Sequence, residues 1–508
     1  MTPPYLGYAA LIHHYRLQVP PLLSIWSVTD KAVESRTLQP NGEERIELPR
    51  QRVRGGACLA DRLTFAFKRE TLNLTVLAAL FDQPGVLQEL QAWLAAKPSS
   101  KYARIAGHLA QWLTGHIFDY RLPKGCPRVP LLDPAAYVTG PGRSCSTFGI
   151  LHNLLGDVWF SPLIRRTPRL QNMLSAKLAE QVKASFQTIE PEMLSRAVDY
   201  LYLSETRSTY GIEDEVPDHH RAMRFRHLLE QAGEPGPLTE EQLGEWQAQV
   251  IDPRCAEYHY RQGQNWLSRP GRFRNIADFI PPPAEHVHAM MASVAELAQN
   301  ASSGTLDPVL AAACAAFGMV FVHPFWDGNG RLHRFLLHHI LRQSGFTPRA
   351  VVLPLSARML KQLDRYSALL KQYSRPRTEL LDYSLDSDSA TLRMKSMQPR
   401  WLYAYHDFTD ICEFIYECCE ACVSEDLQME VLYLRAHDAT IRELETWLDM
   451  RQAVLNTLVD VIVQGNGTLS KRKLKLVEGL SQPEIQRIEE CVNHHFAEFL
   501  DRRDIQMG

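Results

Sequence analysis

The sequence predicts a mainly α protein that contains one small β-hairpin. Over most of the chain beyond residue 62, apolar residues recur at helical spacing, as in Leu87, Leu90 and Trp93. Residues 263–283 break this pattern, because they mix aromatic, arginine and glycine residues and end in three consecutive prolines. Such a composition is typical of a short hairpin followed by an extended stretch.

Local signals place individual helices. Thr239 and Gln242 have capping-box spacing, so a helix is predicted to begin there. The apolar segment 308–322 has 15 residues, fewer than the roughly 20 that a membrane span needs. It is predicted to be a buried helix, and no membrane association is expected.

Loop-like segments divide the chain into three predicted regions. These are a mostly helical N-terminal region at residues 1–195, a central domain at 196–384 and a helical C-terminal region at 400–508. The polar, serine- and aspartate-rich residues 385–399 are predicted to be a linker.

The composition is that of an ordinary globular protein. Of 508 residues, 45% are hydrophobic and 22% are charged, and the formal net charge is -3. A charge so close to zero provides no global attraction to nucleic acid or acidic membranes. Ten scattered cysteines without a secretory signal predict reduced thiols and a cytoplasmic location.

The most informative string is His323-Pro-Phe-Trp-Asp-Gly-Asn-Gly-Arg-Leu-His-Arg334, which lies between two helical patterns. Gly328, Asn329 and Gly330 have little bulk and tolerate positive φ, so their backbone N–H groups can point into one concavity. A helix starting at about Gly330 adds unpaired N–H groups and a positive dipole end. The segment therefore predicts an anion site.

Charged side chains of the same string suggest phosphate chemistry. Arg331 and Arg334 lie three residues apart, so they share a helix face, and guanidinium groups bind phosphate through paired hydrogen bonds. Asp327 is a candidate Mg²⁺ ligand, because a carboxylate beside phosphates requires a cation between them. A histidine side chain ordinarily titrates near neutrality, so His323 is a candidate to accept a proton from an attacking hydroxyl.

Each of these features is weak alone, since most histidines are structural and most Gly-Asn-Gly strings are simple turns. The chain contains a second such string, Gly465-Asn466-Gly467, with neither a preceding histidine nor paired arginines after it. That copy is interpreted as a turn. Only the conjunction of features at fixed spacing distinguishes residues 323–334.

The string from His323 to Arg334 resembles the Fic family signature, His-Pro-Phe-x-(Asp/Glu)-Gly-Asn-Gly-Arg-x-x-Arg, at every defined position. The resemblance extends over residues 200–380 and implies a Fic helical core with a β-hairpin flap. It also implies transfer of AMP from ATP to a Ser, Thr or Tyr hydroxyl of a target protein, with release of pyrophosphate.

Roles are carried over position by position. The resemblance implies that His323 is the general base and that Asp327 holds Mg²⁺. It implies phosphate binding by a group of five residues, with the two arginines at the β/γ end: Gly328, Asn329, Gly330, Arg331 and Arg334.

A regulatory segment is also implied. Many Fic proteins carry an inhibitory helix with the pattern (Ser/Thr)-x-x-x-Glu-(Gly/Asn), whose glutamate pairs with the second motif arginine. Residues 209–214 match this pattern except at Asp214, so Glu213 is expected to neutralise Arg334. The alternative is that Glu213 belongs to a solvated acidic stretch.

Two further features are interpreted as structural. The cysteines of residues 412–422 are expected to be buried thiols. The basic residues 471–475 are expected to form a solvated face, so nucleic acid is not an expected partner.

A homodimer is left open. The rival to the enzyme is a non-catalytic nucleotide-sensing regulator that binds a protein partner or DNA. His323 favours the enzyme, because a sensor needs no base.

Overall fold

The computed structural model describes residues 5–40, 42–53, 58–269, 276–349, 351–386, 391–470, 473 and 480–507. The chain divides into two compact units. The first unit comprises residues 1–175, 232–344 and 363–415, and the second comprises residues 176–231, 345–362 and 416–508. The basic residues of 471–475 fall, apart from Lys473, outside the described residues.

The protein is mainly α, as predicted. Its helices, in chain order, are α1 (Gly7–Tyr15), α2 (Leu59–Arg69), α3 (Leu74–Phe81), α4 (Val86–Ala96), α5 (Lys101–Thr114), α6 (Pro168–Ser175), α7 (Leu178–Gln187), α8 (Pro191–Ile212), α9 (His219–Glu230), α10 (Glu240–Val250), α11 (Ala284–Ser302), α12 (Pro308–Val322), α13 (Asn329–Gln343), α14 (Leu355–Lys361), α15 (Leu363–Glu379), α16 (Trp401–Ala404), α17 (Thr409–Ala421), α18 (Leu427–Leu444), α19 (Gln452–Gln464) and α20 (Gln482–Met507).

The strands are short. They are β1 (Ser24–Thr29), β2 (Ser35–Leu38), β3 (Glu44–Pro49), β4 (Val129–Pro130), β5 (Arg143–Cys145), β6 (Ile150–His152), β7 (Ser161–Leu163), β8 (Leu267–Arg269), β9 (Ile276–Phe279), β10 (Tyr383–Asp386), β11 (Thr391–Met394) and β12 (Tyr405–Asp407). They form sheets of two or three strands, in the orders β1-β3-β2, β4-β6-β5, β12-β7, β8-β9 and β10-β11.

Helices α11, α12 and α13 pack against one another in the first unit. The side chain of Asp307 caps α12 by accepting the N–H groups of Val309 and Leu310, at 2.9 and 3.2 Å. Every residue of α12 from 309 to 319 is buried, which confirms the predicted buried helix. The predicted start of α10 is also confirmed, because the Thr239 hydroxyl accepts the N–H of Gln242 at 3.2 Å.

The N-terminal part of the first unit packs α1 to α5 around a core that includes Leu63, Leu77 and Leu109. The sheets β1-β3-β2 and β4-β6-β5 also lie in this part of the chain. The sequence analysis did not predict these strands. Strands of two to six residues contain too few alternating positions to give a periodic signal.

Strands β8 and β9 pair antiparallel, with a register shift between Leu267 and Ser268, and confirm the predicted hairpin. Its tip, residues 270–275, lies outside the described residues. The hairpin packs against β10 and β11 through Ala277, Ile280 and Leu392. The predicted linker at 385–399 is therefore wrong in part, because residues 391–394 pair with 383–386.

The second unit is built on α8, which packs against α9, α14 and α18. Helix α18 also packs against α20 over a core that includes Leu444, Ile488 and Val492. The cysteines Cys412, Cys418, Cys419 and Cys422 are buried and form no disulfide within the described part of the chain, as expected. Among the described helices, none combines the length and apolar character that a bilayer crossing demands.

Candidate functional site

The candidate site is the loop between α12 and α13 in the first unit. His323 ends α12 in the left-handed conformation, with φ 55° and ψ 61°. Gly328 caps α13 with φ 81°. A Cβ at Gly328 would lie 2.8 Å from Cγ2 of Ile251, so both the backbone angle and the available space require glycine here. Two left-handed residues thus turn the chain sharply between the helices.

The imidazole of His323 is held in one tautomer. Its Nδ1 lies 3.2 Å from the carbonyl oxygen of Val320. A carbonyl can only accept, so Nδ1 carries the proton and Nε2 keeps its lone pair. Burial lowers the pKa of His323 to about 4. The ring is therefore neutral at pH 7, with a basic nitrogen at Nε2.

Arg261 holds the loop in place through hydrogen bonds from its guanidinium to backbone carbonyls. Its guanidinium donates from Nε to the carbonyl of His323 at 2.8 Å and from Nη2 to that of Val322 at 3.3 Å. The same group donates to the carbonyls of Gly263 at 2.8 Å and Pro282 at 2.5 Å, on either side of the hairpin. Burial lowers the pKa of Arg261 to about 10, so it remains a cation at pH 7. One side chain thus fixes the loop relative to both ends of the hairpin.

Asn329 closes the loop on itself. Its Oδ1 accepts the N–H of Phe325 at 3.1 Å and its Nδ2 donates to the carbonyl of Phe325 at 2.8 Å. Asn265 donates to the same carbonyl at 3.1 Å. Phe325 is fully buried, so it anchors the loop in the core. The Asn329 side chain is engaged in shaping the loop, which leaves its backbone N–H as the group suited to phosphate.

Gln247 of α10 and Glu257 support the exposed side of the loop. The Glu257 carboxylate accepts the N–H of Trp326 at 2.8 Å, and Gln247 donates to the carbonyl of Asp327 at 3.2 Å. Gln247 in turn accepts the N–H of Glu257 at 2.9 Å. Burial, with the nearby charge of Asp327, raises the pKa of Glu257. These contacts fix the backbone on both sides of Trp326.

Asp327 has the accessibility that a metal ligand needs. Its Oδ1 accepts the N–H of Gly328 at 2.6 Å and lies 3.6 Å from Nη2 of Arg331. The side chain is 66% exposed, so its carboxylate can reach a cation in the solvent. Carboxylate oxygen is the ligand type that Mg²⁺ prefers. The residues present therefore fit this metal.

Arg331 and Arg334 lie in the first two turns of α13, with residue exposures of 4% and 2%. Arg331 donates from Nη1 to the carbonyl of Val250 at 2.6 Å. Gly330 is half-buried at the N-terminal end of the helix, where α-helical N–H groups lack intrahelical partners. Both arginines thus lie in the N-terminal half of α13, and both are buried.

Glu213 belongs to the second unit. It follows the last residue of α8, and its N–H donates to the carbonyl of Tyr210 at 3.0 Å. The next residue, Asp214, has φ 56°. This is the position at which the inhibitory pattern calls for Gly or Asn, and aspartate also tolerates the left-handed region. Aspartate is therefore compatible with the left-handed conformation found at this position.

The sequence located the chemical groups of the loop but missed the residues that brace it. The predicted loop residues, His323, Asp327, Gly328, Asn329, Gly330, Arg331 and Arg334, lie together in the first unit. Arg261, Gln247 and Glu257 act through side-chain contacts to a loop more than 60 residues away along the chain. Nothing in their local sequence distinguishes them from other polar residues.

Comparison with known proteins locates the family resemblance. Residues 237–341 match the model of the Fic/DOC family. Over 92 residues, the chain is 39% identical to protein adenylyltransferase fic-1 of Caenorhabditis elegans, and this alignment covers 17% of this chain and 18% of that protein. It is 34% identical over 82 residues to protein adenylyltransferase Fic of Nematostella vectensis, covering 15% and 19%. The chain thus matches less than a fifth of either relative's length.

Solved structures give more distant matches. A Fic family protein from Desulfovibrio desulfuricans aligns with a TM-score of 0.38 at 19% identity, covering 65% of this chain and 89% of that one. Fic-1 from C. elegans aligns with a TM-score of 0.32 at 18% identity, covering 63% and 87%.

The matched segment contains α10, the hairpin β8-β9, the helices α11 and α12, most of α13 and the whole loop from His323 to Arg334. All the contacts that shape the loop, from Gln247 to Asn329, lie within it. Residues 237–341 of this chain are therefore a Fic/DOC family domain.

Proposed function

We propose that the protein transfers AMP from Mg-ATP to a hydroxyl side chain of a target protein, releasing pyrophosphate. The observation that carries the proposal is the tautomer of His323, whose Nδ1 lies 3.2 Å from the Val320 carbonyl and whose Nε2 is therefore a proton acceptor. The relatives named as protein adenylyltransferases match the same segment of the chain.

In the proposed reaction, a Ser, Thr or Tyr hydroxyl oxygen attacks the α-phosphorus of ATP. His323 Nε2 takes the hydroxyl proton as the new P–O bond forms. The bond from the α-phosphorus to the bridging oxygen of the β-phosphate breaks, and its electron pair leaves with pyrophosphate. The negative charge of the triphosphate would raise the pKa of His323 from about 4 and make Nε2 a stronger base.

The start of α13 is the proposed triphosphate site. Backbone N–H groups of residues 328–330 and the guanidiniums of Arg331 and Arg334 supply the positive charge. Asp327 would hold Mg²⁺, which neutralises phosphate charge when bound. Arg261 and Asn329 keep these groups in place before ATP binds, so little reorganisation is needed during transfer.

Labelled ATP tests the proposal. ATP labelled at the α-phosphate should transfer its label to protein, whereas ATP labelled at the γ-phosphate should not, and chelation of divalent cations should stop the transfer. Label from the γ-phosphate would indicate phosphoryl transfer instead. Saturable ATP binding with no transfer of either label would favour the nucleotide-sensing regulator and contradict the proposal.

We also propose that Glu213 restrains this activity by pairing with Arg334, which would remove the cation that the γ-phosphate needs. The support is the match of residues 209–214 to the inhibitory pattern, together with the left-handed backbone of Asp214. Glu213→Gly should raise transfer of α-label, and the neighbouring Glu215→Gly, which removes an ion pair to Arg221, serves as the control. Equal activity of Glu213→Gly and the wild-type protein would rule this restraint out.

We propose a cytoplasmic location from the reduced state of the cysteines. All ten cysteines lie among the described residues and none forms a disulfide. This is the state expected in a reducing compartment.

A further inference from the structure

Three metal-binding side-chain types meet on the surface of the second unit, in residues that the proposed reaction does not use. Glu443 lies at the end of α18, and Cys491 and His495 lie on α20. One ligand atom from each of the three lies within 4.8 Å of the other two. Nε2 of His495 is 2.8 Å from Oε2 of Glu443.

The spacing along α20 suits a shared ligand. Cys491 and His495 are four residues apart, so they project from the same helix face. Glu443 reaches this face from the neighbouring helix, and α18 and α20 pack closely against each other. In a tetrahedral zinc site the ligand atoms are about 3.3–3.8 Å apart, given bonds of roughly 2.0–2.3 Å. The ligand atoms of the three side chains lie within 4.8 Å of one another, which is close to that spacing.

The backbone behind the cluster is rigid. Leu444, next to Glu443, and Val492, next to Cys491, are fully buried in the core of this unit. Cys491 is itself buried at the edge of this core, while the side chains of Glu443 and His495 remain 49% and 22% exposed. A metal at this edge would be accessible from solvent.

We propose that Glu443, Cys491 and His495 form a zinc site that ties α18 to α20. A thiolate, an imidazole and a carboxylate together favour Zn²⁺ over Mg²⁺ or Ca²⁺, which prefer oxygen ligands. With three protein ligands, the fourth position of the tetrahedron is filled by water.

Binding requires the Cys491 thiol to lose its proton to solvent, because the thiolate is the ligand. Burial and the nearby Glu443 carboxylate raise the pKa of Cys491 to about 11. Arg487, one turn earlier on α20, opposes this effect by its charge. Its guanidinium lies 4.2 Å from the ring centre of Trp447, which keeps it close to the cluster. Zinc binding should therefore release a proton and tighten as the pH rises.

The test uses the full-length protein, freed of metal by dialysis and titrated with Zn²⁺ or Co²⁺. One equivalent should bind, Co²⁺ should give a thiolate-to-cobalt charge-transfer band, and Zn²⁺ should raise the thermal unfolding midpoint. Cys491→Ser should abolish the band, and His495→Ala and Glu443→Gln should each weaken binding by about tenfold or more, since even outer-shell partners contribute ~10–100-fold.

Two variants serve as controls. His494→Ala removes the neighbouring imidazole and Cys58→Ser removes an exposed thiol elsewhere, and both should bind metal as the wild-type protein does. Zinc that binds Cys491→Ser as tightly as wild type, or a wild-type protein that binds no zinc, would overturn the proposal. Because no readout depends on nucleotide transfer, failure here would leave the proposed function unaffected.

Discussion

At the residue scale, two segments that the sequence patterns singled out each contain a residue whose backbone conformation is unusual for its type. His323 has φ 55° although it is not glycine, and it is held there by the contacts of its ring and carbonyl. Asp214, in the second unit, has φ 56° and an exposed side chain. Left-handed backbone in such residues costs free energy and is concentrated at functional segments. Sequence reasoning identified both segments by motif but could not assign their backbone angles.

Substitutions at Asp214 should follow the backbone requirement. Asp214→Gly should leave the free energy of unfolding within about 1 kcal/mol of wild type, because glycine adopts positive φ freely. Asp214→Val should be less stable by about 1–2 kcal/mol, because a β-branched residue is strained in this region. Urea unfolding of the two variants measures this difference. Equal stability of the two would contradict the assigned conformation.

At the element scale, the sequence predicted α12, which leads into the loop, and α10, but not the contacts that support the loop. The apolar segment 308–322 and the capping residue Thr239 give local signals, and both helices were confirmed. The pairing of residues 383–386 with 391–394 was missed, because strands of four residues are too short to give a periodic signal. The bracing by Arg261 was missed because it depends on contacts distant in sequence.

Replacing Arg261 should impair transfer more than ATP binding. Lysine is a point charge and cannot donate simultaneously to the carbonyls around the guanidinium. Small displacements of catalytic groups can reduce rates by about 100-fold, so Arg261→Lys should lower kcat by ~10–100-fold with a smaller change in KM for ATP. Arg254→Lys, at a side chain that is 88% exposed, is the matched control. Loss of ATP binding with kcat unchanged would show that Arg261 does not position the loop.

At the scale of the whole molecule, buried titratable groups should make stability depend on pH. Burial lowers the pKa of several described histidines from 6.5 to about 4: His108, His152, His323 and His339. It lowers the pKa of His333 further, to about 3. Burial raises the pKa of two glutamates from 4.5 to about 8: Glu70 and Glu430. These two groups of residues have opposite effects on the pH dependence of folding.

The unfolding midpoint should therefore be highest near pH 6.5. As the pH falls from 6.5 toward 4, the unfolded chain binds protons at these histidines before the folded chain does, so stability is lost. Above pH 6.5 the glutamates dominate, because they ionise more readily in the unfolded chain, and stability falls gently toward pH 8. Thermal unfolding between pH 4 and 8 measures both slopes. His333→Phe should reduce the acid slope, and a midpoint independent of pH would contradict this assignment.

The candidate site could be located from the sequence because its predicted groups are concentrated in residues 323–334, where charge, spacing and glycine content can be read directly. The division of the chain into two units could not be predicted in this way, because each unit gathers segments that are separated in sequence. Residues 345–362, for example, belong with 416–508 although the α13 helix just before them belongs to the first unit. Local patterns contain no information about such groupings.

His323 is proposed to accept the proton during transfer while other residues of the loop hold ATP. Calorimetric titration of His323→Ala with Mg-ATP, paired with transfer of α-label by the same protein, separates these two roles. The expected result is ATP affinity equal to that of the wild-type protein and loss of transfer. Transfer at the wild-type rate by His323→Ala would show that His323 is not the base.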